Sequence, residues 1–334
     1  MSTDNYKLSL TEAALKSRRA MVMGIGGGGD VIQAIPIANY LGLLGVDKVY
    51  VGGVGCQWWA PKNDPPPGPW ARICGPTILD VADMENVDPW APVVVGIRSD
   101  SHYNGQQPAE AVLRSRLPWD VFVAGLTEGV VGLRDSLQQV IKDHGIDLFV
   151  GVDVGSDSWH RGDEAMPASS SLVDFMSLSA MIQLECHTIF GFSGYGCDAE
   201  MQLDELDERV ARAMQAGGFL GAYGITQKDA AQMLDACEAY YDPIEHWAPR
   251  AARGEIGLKY LAVVSPWGRV ARVVPHSAVF MFFDPKILVN EVSTGVKALM
   301  YTKSLAEAER IFQDELGQFP ETQAKYVVNY LREE

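Results

Sequence analysis

Residues 21–41 contain the feature that most constrains this chain. A short apolar run leads into four consecutive glycines, and an aspartate then begins an apolar segment of helical length. This order predicts a strand, a loop and a helix. Glycine lets the backbone turn through positive φ and approach a ligand closely, and the N–H groups at the start of a helix can bind an anion. The predicted binding loop consists of Gly26, Gly27, Gly28, Gly29 and Asp30.

Two interpretations of Asp30 stay open. A carboxylate at the start of a helix can hold a cation beside a bound phosphate, although it would repel a bare anion. It can also serve only as a helix cap, in which case the glycines make a turn for close packing of helix against strand.

The same glycines allow a dinucleotide-binding interpretation. Gly24, Gly26 and Gly29 satisfy the pattern G-x-G-x-x-G, which a run of glycines also satisfies by chance. An NAD site of this type has an acid near the end of the second strand, where it contacts the ribose. The second predicted strand, residues 48–54, ends in glycines without an acid. NAD or NADP is therefore the less favoured cofactor, and a nicotinamide-dependent oxidoreductase is kept as an alternative.

Strand and helix patterns alternate from Ala20 to about residue 200, which predicts a mostly parallel, doubly wound α/β sheet with helices on both faces. After the first two strands, further strands are predicted at 92–97, 120–125, 147–152 and 188–192, and helices at 107–116, 130–143 and 172–185. Residues 203–255 are predicted to form a helical insertion. Strands at 258–264 and 277–283 and two closing helices at 304–316 and 320–331 complete a single α/β domain of residues 1–334, with a boundary near 203 left open.

Composition excludes several classes of partner. The net charge of −16, with lysine and arginine scattered, opposes nucleic-acid binding. No apolar run reaches membrane-spanning length without glycine, proline or charge, and the N-terminus lacks a basic flank before an apolar core. The five cysteines contain no C-x-x-C pair, so neither a zinc site nor a disulfide framework is predicted. We expect a cytoplasmic protein with a small-molecule substrate and no membrane partner, and homo-oligomers remain open.

Polar residues follow the predicted strands. The carboxyl ends of parallel strands share one edge of a sheet, where ligands bind in the crevice. The loops expected at this edge are 26–30, 98–102, 126–129, 153–164 and 193–200. They carry the carboxylates Asp30, Asp153, Asp157, Asp163, Glu164, Asp198 and Glu200 in addition to Glu128.

Several carboxylates in one crevice cannot all stay ionised without compensation. One remedy is a cation, and oxygen ligands favour Mg²⁺, Mn²⁺ or Ca²⁺. The predicted metal ligands are Asp153, Asp157 and Asp198, and Mg²⁺ is the expected cofactor. The other remedy is a raised pKa on one carboxyl group, which supplies a general acid at neutral pH.

These residues predict an enzyme that acts on a small anionic, phosphorylated or nucleotide- or sugar-like metabolite by hydrolase, transferase or lyase chemistry. The candidate catalytic residues are Asp153, Asp157, Asp198, Glu200 and Glu128, with one of the two glutamates transferring protons. Thr127 joins the glycine loop as a binding residue. An alternative is a non-catalytic binding module that docks through Trp58, Trp59 and Trp70 in a proline-rich loop.

Two histidines and one cysteine are further candidates for reactive side chains. His102 and His160 follow predicted strands and could act as bases. Cys197 lies in a glycine-flanked turn among acids, which would raise its pKa and oppose a role as nucleophile.

Four segments together resemble an uncharacterised family of archaeal and bacterial proteins, a domain of unknown function with an N-terminal GxGGGGD loop. They are residues 24–30, 151–157, 169–174 and 196–200. The resemblance spans most of the chain, from Ala20 to the C-terminal helices. It implies a Rossmann-like sheet and no established reaction.

Overall fold

The computed structural model describes residues 7–59, 70–74, 76–164, 170–240, 244–261, 270–323 and 326–330, with the backbone alone at 70–74 and 326–330. The strands are β1 (Arg19–Gly24), β2 (Lys48–Val54), β3 (Cys56–Gln57), β4 (Trp70–Cys74), β5 (Thr77–Ile78), β6 (Glu85–Ala91), β7 (Val94–His102), β8 (Asp120–Ala124), β9 (Leu148–Val154), β10 (His187–Ser193), β11 (Phe219–Gly224), β12 (Gly257–Tyr260), β13 (Val270–Val273), β14 (Val279–Phe283) and β15 (Tyr326–Tyr330). The helices are α1 (Leu10–Lys16), α2 (Asp30–Leu43), α3 (Ala109–Arg116), α4 (Gly129–His144), α5 (Leu172–Met181), α6 (Leu203–Gln215), α7 (Gln227–Ala239), α8 (Trp247–Ala252), α9 (Pro285–Glu291) and α10 (Leu305–Asp314).

A nine-stranded sheet in the order β11-β14-β10-β9-β1-β2-β8-β7-β6 forms the centre of the molecule. Its five middle strands, from β10 to β8, are parallel to their neighbours. The strands β14 and β7 join the two sides of this group in antiparallel pairing. The α/β class with a mostly parallel sheet is therefore confirmed.

Helices cover both faces of the sheet, as the alternating pattern predicted. The helices α1, α2, α3, α7 and α8 pack on one face, and α4, α5, α6, α9 and α10 pack on the other. The helix α2 is apolar nearly all round and buried along most of its length, including Pro36. A helix without a polar face belongs inside a protein, and α2 accordingly lies between the sheet and the helices α3 and α7. Among the described residues, no helix has both the length and the apolar composition needed to cross a bilayer.

The segment 203–255 is less purely helical than expected, because it also contains β11. This strand pairs with β14 at the edge of the central sheet. Gly217, with φ of +78°, and Gly218 separate it from α6. The pairing partner lies about 60 residues later in the chain, so the local pattern carried no signal for it.

The helix predicted at 320–331 is wrong for its described part. Residues Glu321–Gln323 form a single 3₁₀ turn, and β15 follows and pairs antiparallel with β4. Tertiary pairing overrides local helical periodicity here, because a short helix has little stability of its own.

The loop 98–102 lies at the other edge of the sheet from the one expected. Because β7 runs antiparallel to β8, with Ile97 opposite Val121, its later residues lie near the amino end of β8. His102 is among them, and its Nε2 lies 3.3 Å from Glu85 Oε2 near the surface. The direction of a strand added by a hairpin is not readable from its own sequence, so this prediction was wrong.

Candidate functional site

The order of strands in the central sheet reverses at β1. Strand β1 pairs with β2 on one side and with β9 on the other, so the chain order reverses at this point. Ligands of open α/β sheets bind outside the carboxyl ends of the strands at such a reversal. The glycine loop follows β1 and Asp153 lies within the end of β9, so both lie at this reversal.

Three buried aspartates meet there. One carboxylate oxygen each of Asp30, Asp153 and Asp174 lies within 4.8 Å of the other two. The three side chains are at most 4% exposed. Asp30 begins α2, Asp153 belongs to β9, and Asp174 lies in the first turn of α5. We call these residues the aspartate cluster.

Backbone and hydroxyl donors orient the aspartate cluster. The Gly26 N–H donates to Asp30 Oδ2 over 2.6 Å, so this carboxylate turns back on the glycine loop. It does not cap α2, whose N-cap is a glycine. The Ser158 hydroxyl donates to Asp174 Oδ1 over 3.1 Å, and the Ser158 N–H lies 3.3 Å from Asp153 Oδ2. One serine therefore positions two of the three acids.

Gly26 leaves the space that two of the acids occupy. A Cβ at this position would lie 2.7 Å from Asp30 Oδ2 and 2.9 Å from Asp174 Oδ1, which is closer than atoms in contact tolerate. Asp174 Oδ2 is buried and has no hydrogen-bond partner among the described residues. The absence of a side chain at Gly26 is thus what allows these carboxylates to approach each other.

The other loop glycines also make room for side chains of the protein itself. A Cβ on Gly27, whose φ is +86°, would lie 2.6 Å from Cys56 Cβ, and one on Gly29 would lie 2.6 Å from Glu245 Cδ. The Gly28 N–H donates to the Cys56 carbonyl over 2.6 Å. Packing therefore accounts for Gly27 and Gly29, although their neighbours are Cys56 and Glu245 and not the helix and strand that the sequence left open. Carboxylates also stand beside the loop, so its surroundings oppose a bare anion.

A second set of acids lies beside the aspartate cluster. Asp198 Oδ2 accepts the N–H of Ser156 over 2.6 Å and its hydroxyl over 2.7 Å. Asp157 Oδ2 accepts the Ser170 hydroxyl over 2.9 Å. Burial raises the pKa of Asp157 well above its usual range, and repulsion from Glu200, Asp198 and Asp153 adds to the effect. The predicted residues Asp153, Asp157, Asp198 and Glu200 are thus electrostatic neighbours.

Burial, together with mutual repulsion, opposes full ionisation of the aspartate cluster. Burial raises the pKa of Asp174 well above its usual range, and Asp153 and neighbouring acids raise it further. Burial also raises the pKa of Asp153, whereas hydrogen bonds from Ser158 lower it and Asp198 raises it. Two unit charges about 5 Å apart repel by roughly 3 kcal/mol at an effective dielectric constant of about 20. The cluster therefore needs a bound proton or a cation.

The C-terminal segment, residues 305–323, supports α5, which carries Asp174. Glu321 is buried, and its carboxylate accepts the N–H groups of Leu172 over 3.1 Å and Val173 over 2.8 Å. Burial raises the pKa of Glu321 to about 7, although the N–H donors lower it. A carboxylate at the start of a helix satisfies free N–H groups and matches the helix dipole. Sequence reasoning missed this contact, which joins residues about 150 positions apart.

The chain matches a known protein family over most of its length. A family described as a protein of unknown function, DUF1152, matches residues 21–325. The chain belongs to DUF1152. No curated protein and no solved structure matches it. The match extends over the glycine loop, the whole aspartate cluster and Glu321, so the resemblance to an uncharacterised family is confirmed.

Two predicted residues of this DUF1152 protein stand apart from the aspartate cluster. Thr127 and Glu128 follow β8, which β2 separates from β1. The Thr127 carbonyl accepts the Leu305 N–H over 3.1 Å, and Glu128 is exposed at the start of α4, with its side chain against Gly132. Thr127 therefore contacts the C-terminal segment and Glu128 contacts the first turns of α4. The order of strands places both residues on the far side of β2 from β1.

His160, Glu164 and Asp163 are also separate from the cluster. His160 Nδ1 lies 3.7 Å from Glu164 Oε1, and Arg209 Nη1 lies 2.7 Å from the same oxygen. Asp163 is exposed. Glu164 therefore belongs to an ion pair that joins the loop after β9 to α6. The pKa of Cys197 is raised to about 12, as predicted, but burial is the main cause and the acid Asp198 adds less.

The dinucleotide interpretation requires an acid at the end of β2, where this DUF1152 protein has glycines. Glu110 of α3 lies beside that strand end. A Cβ on Gly53 would lie 2.4 Å from Glu110 Oε1. The Gln57 amide donates to Glu110 Oε2 over 3.1 Å, and Glu110 is only 1% exposed. Because the carboxyl group is buried and already hydrogen-bonded to Gln57, the arrangement gives the NAD alternative little support.

The tryptophans of the proline-rich loop differ in exposure. Trp59 is buried and stacks on Tyr103, with ring centroids 6.5 Å apart, whereas Trp58 is partly exposed. Residues 60–69 and the side chain of Trp70 lie outside the described part of the DUF1152 chain. Trp59 packs into the body of the protein and is not part of an exposed docking surface.

Proposed function

We propose that this protein is an enzyme that acts on a small anionic metabolite of a phosphorylated, nucleotide or sugar-like class by hydrolase, transferase or lyase chemistry. The observation that carries the proposal is the convergence of Asp30, Asp153 and Asp174, from three separate segments, where the strand order reverses. Buried carboxyl groups with strongly shifted pKa values occur preferentially at functional sites.

The two sets of acids suit different tasks. Asp153 lies between them, because it belongs to the aspartate cluster and also interacts with Asp157 and Asp198. In this proposal Asp157 and Asp198 bind hydroxyl groups of a substrate, and the support is that each already accepts a hydrogen bond from a serine hydroxyl. Glu200 is partly exposed and close enough to Asp157 to raise its pKa, so of the two candidate glutamates it is the better placed to transfer protons.

Turnover of a metabolite panel tests the proposal. The purified protein is incubated with phosphorylated sugars, nucleotides and related anions, and ³¹P and ¹H NMR follow their conversion. We expect at least one to be converted. Asp153→Asn should abolish that conversion while the melting temperature stays within a few degrees of the wild-type value, because the side chain keeps its size. Asp143→Asn is the control, since Asp143 is an exposed carboxylate on α4.

Three results would contradict the proposal. One is a panel in which no metabolite is converted or raises the melting temperature. A second is a large loss of stability in Asp153→Asn, which would make Asp153 a structural residue. The third is a rise in melting temperature with NAD or NADP together with reduction of the nucleotide, which would favour the oxidoreductase alternative.

A further inference from the structure

We propose that Asp30, Asp153 and Asp174 form the binding site for one hard divalent cation, of the class of Mg²⁺, Mn²⁺ and Ca²⁺. This ligand set differs from the one that the sequence predicted, because Asp30 and Asp174 take the places of Asp157 and Asp198. The inference deepens the function proposed above and rests on it only for the task of the ion, which is to hold an anionic substrate.

The geometry suits a cation of this class. The three carboxylate oxygens lie within 4.8 Å of one another. Oxygen ligands on opposite sides of Mg²⁺ are about 4.2 Å apart, and those around Ca²⁺ are roughly 4.6–5.2 Å apart. All three donors are carboxylates, and hard cations favour such oxygen ligands more strongly than softer metals do. Three protein ligands leave the remaining positions for water and for oxygens of a substrate.

An unsatisfied oxygen points to a ligand independently of the charge. Asp174 is 1% exposed, and its Oδ2 is buried without a hydrogen-bond partner among the described residues. The oxygen is aimed into the cluster, since a Cβ on Gly26 would lie 3.0 Å from it and 2.7 Å from Asp30 Oδ2. A buried carboxylate oxygen without a partner is costly, and a cation between Asp174 and Asp30 would satisfy it.

Backbone and hydroxyl donors hold the carboxylates of the cluster in place. The Gly26 N–H donates to Asp30 Oδ2, and Ser158 donates to Asp174 Oδ1 and Asp153 Oδ2. Carboxylates that bind metals are commonly held by such outer hydrogen bonds, which fix their orientation. The same contacts keep the three oxygens near each other despite their repulsion. The site is therefore formed before the ion binds.

Binding of Mn²⁺ alone tests the inference. Protein treated with EDTA and then desalted is titrated with Mn²⁺, and electron paramagnetic resonance measures the free ion. We expect one tightly bound ion in the wild type, with Mg²⁺ in excess competing for it. Asp174→Asn should weaken binding roughly tenfold or more, a loss typical of changes at metal sites. Asp143→Asn should bind Mn²⁺ as the wild type does, which controls for the acidic surface.

The melting temperature provides a second test, because Asp174→Asn should weaken metal binding without destabilising the metal-free protein. In EDTA, Asp174→Asn should melt at the same temperature as the wild type or higher, because it removes repulsion from the cluster. In millimolar Mg²⁺ the wild type should gain stability and the variant should not, because only an ion that binds the folded state stabilises it. A lower melting temperature of the variant in EDTA would mark Asp174 as structural and overturn the inference.

A substitution in the loop tests the same site without changing charge. Gly26→Ala would push a methyl group against Asp30 and Asp174, and it should weaken Mn²⁺ binding. The control is Gly42→Ala in α2, because nothing lies within 4 Å of a Cβ at Gly42 and the position is exposed. It should leave Mn²⁺ binding unchanged.

The outcomes separate this inference from the proposed function. If the wild type binds Mn²⁺ no better than Asp174→Asn, the cation site is wrong, even if Asp153→Asn abolishes turnover of a metabolite. If Mn²⁺ binds as expected and no metabolite is converted, the cation site stands and the proposed enzymatic function fails.

Discussion

Glu110 shows how a single residue can be chemically unusual and still lie outside the candidate site. Its carboxyl group is buried on α3 against Gly53 and accepts a hydrogen bond from Gln57. Burial raises the pKa of Glu110 from 4.5 to about 8. The folded protein therefore binds a proton at neutral pH that the unfolded chain releases.

This proton gives stability a definite dependence on pH. The contribution of Glu110 is fully present below about pH 4.5, falls as the pH rises because folding must then take up a proton, and levels off above about pH 8. The slope of the free energy of unfolding is at most about 1.4 kcal/mol per pH unit. The amide of Glu110→Gln can keep the contact with Gln57 and does not titrate. This variant should therefore not lose free energy of unfolding between about pH 4.5 and pH 8 through this position.

Urea unfolding at a series of pH values measures the effect. The difference in the free energy of unfolding between Glu110→Gln and the wild type should grow from about pH 4.5 to pH 8 and then stay constant. The comparison cancels groups that titrate in both proteins. A difference that does not change with pH would show that Glu110 is not protonated in the folded state.

At the scale of an element, α5 is the helix on which the cluster depends. It carries Asp174 and begins without a side-chain cap of its own, while Glu321 binds its first N–H groups. The 3₁₀ turn that holds Glu321 follows α10, which also packs on α5. The C-terminal segment therefore fixes the start of a helix that is distant in sequence.

Glu321→Ala should loosen this helix start. The loss of a cap acceptor costs about 1 kcal/mol, and hydrogen exchange should become faster at Leu172 and Val173 than elsewhere in α5. Mass spectrometry of deuterium uptake measures it. Glu315→Ala, which changes an exposed glutamate at the end of α10, should leave this peptide as protected as in the wild type. Equal uptake in all three proteins would mean that Glu321 does not stabilise α5.

At the scale of the whole molecule, the residues after 203 complete both layers around the sheet. Strand β14 pairs with β10 and β11, α7 and α8 lie on one face, and α9 and α10 lie on the other. A boundary near 203 would divide the sheet between β10 and β14. We therefore expect the segments before and after 203 to unfold together.

Urea unfolding tests this cooperation. Far-UV circular dichroism and hydrogen exchange in peptides from β1 and β14 should give one common midpoint. The physical reason is that exposure of β14 removes the neighbour of β10, on which α9 also packs. Loss of β14 at a clearly lower urea concentration than β1 would show that the chain contains two units.

The local patterns predicted much of this fold and part of the candidate site. The strands at 120–125, 147–152 and 188–192 and the helix at 130–143 were confirmed within one or two residues at each end. Hydrophobic periodicity and glycine content are properties of short stretches of sequence, so they predict an element without knowledge of the segments that pack against it. The positions of the glycine loop and Asp153 at the carboxyl ends of β1 and β9 could be predicted for the same reason, since each belongs to or follows its own strand.

Other features depended on contacts between distant segments. Asp174 joined the cluster because α5 packs against the sheet with its first turn beside Gly26, and no local pattern marks that contact. The loop after β7 moved to the opposite edge because β7 is antiparallel. Thr127 and Glu128 stayed apart from the cluster because β2 lies between β8 and β1.

The sequence by itself determined the class of the fold and the supply of glycines and carboxylates at the ends of strands, because periodic burial and backbone freedom are local properties. Only the tertiary structure decided which acids face one another. Strand order, strand direction and helix docking bring Asp30, Asp153 and Asp174 within 4.8 Å, although about 120 residues separate the first two in the chain. Repulsion between charges depends on that distance in space, so the chemistry of the cluster exists only in the folded molecule.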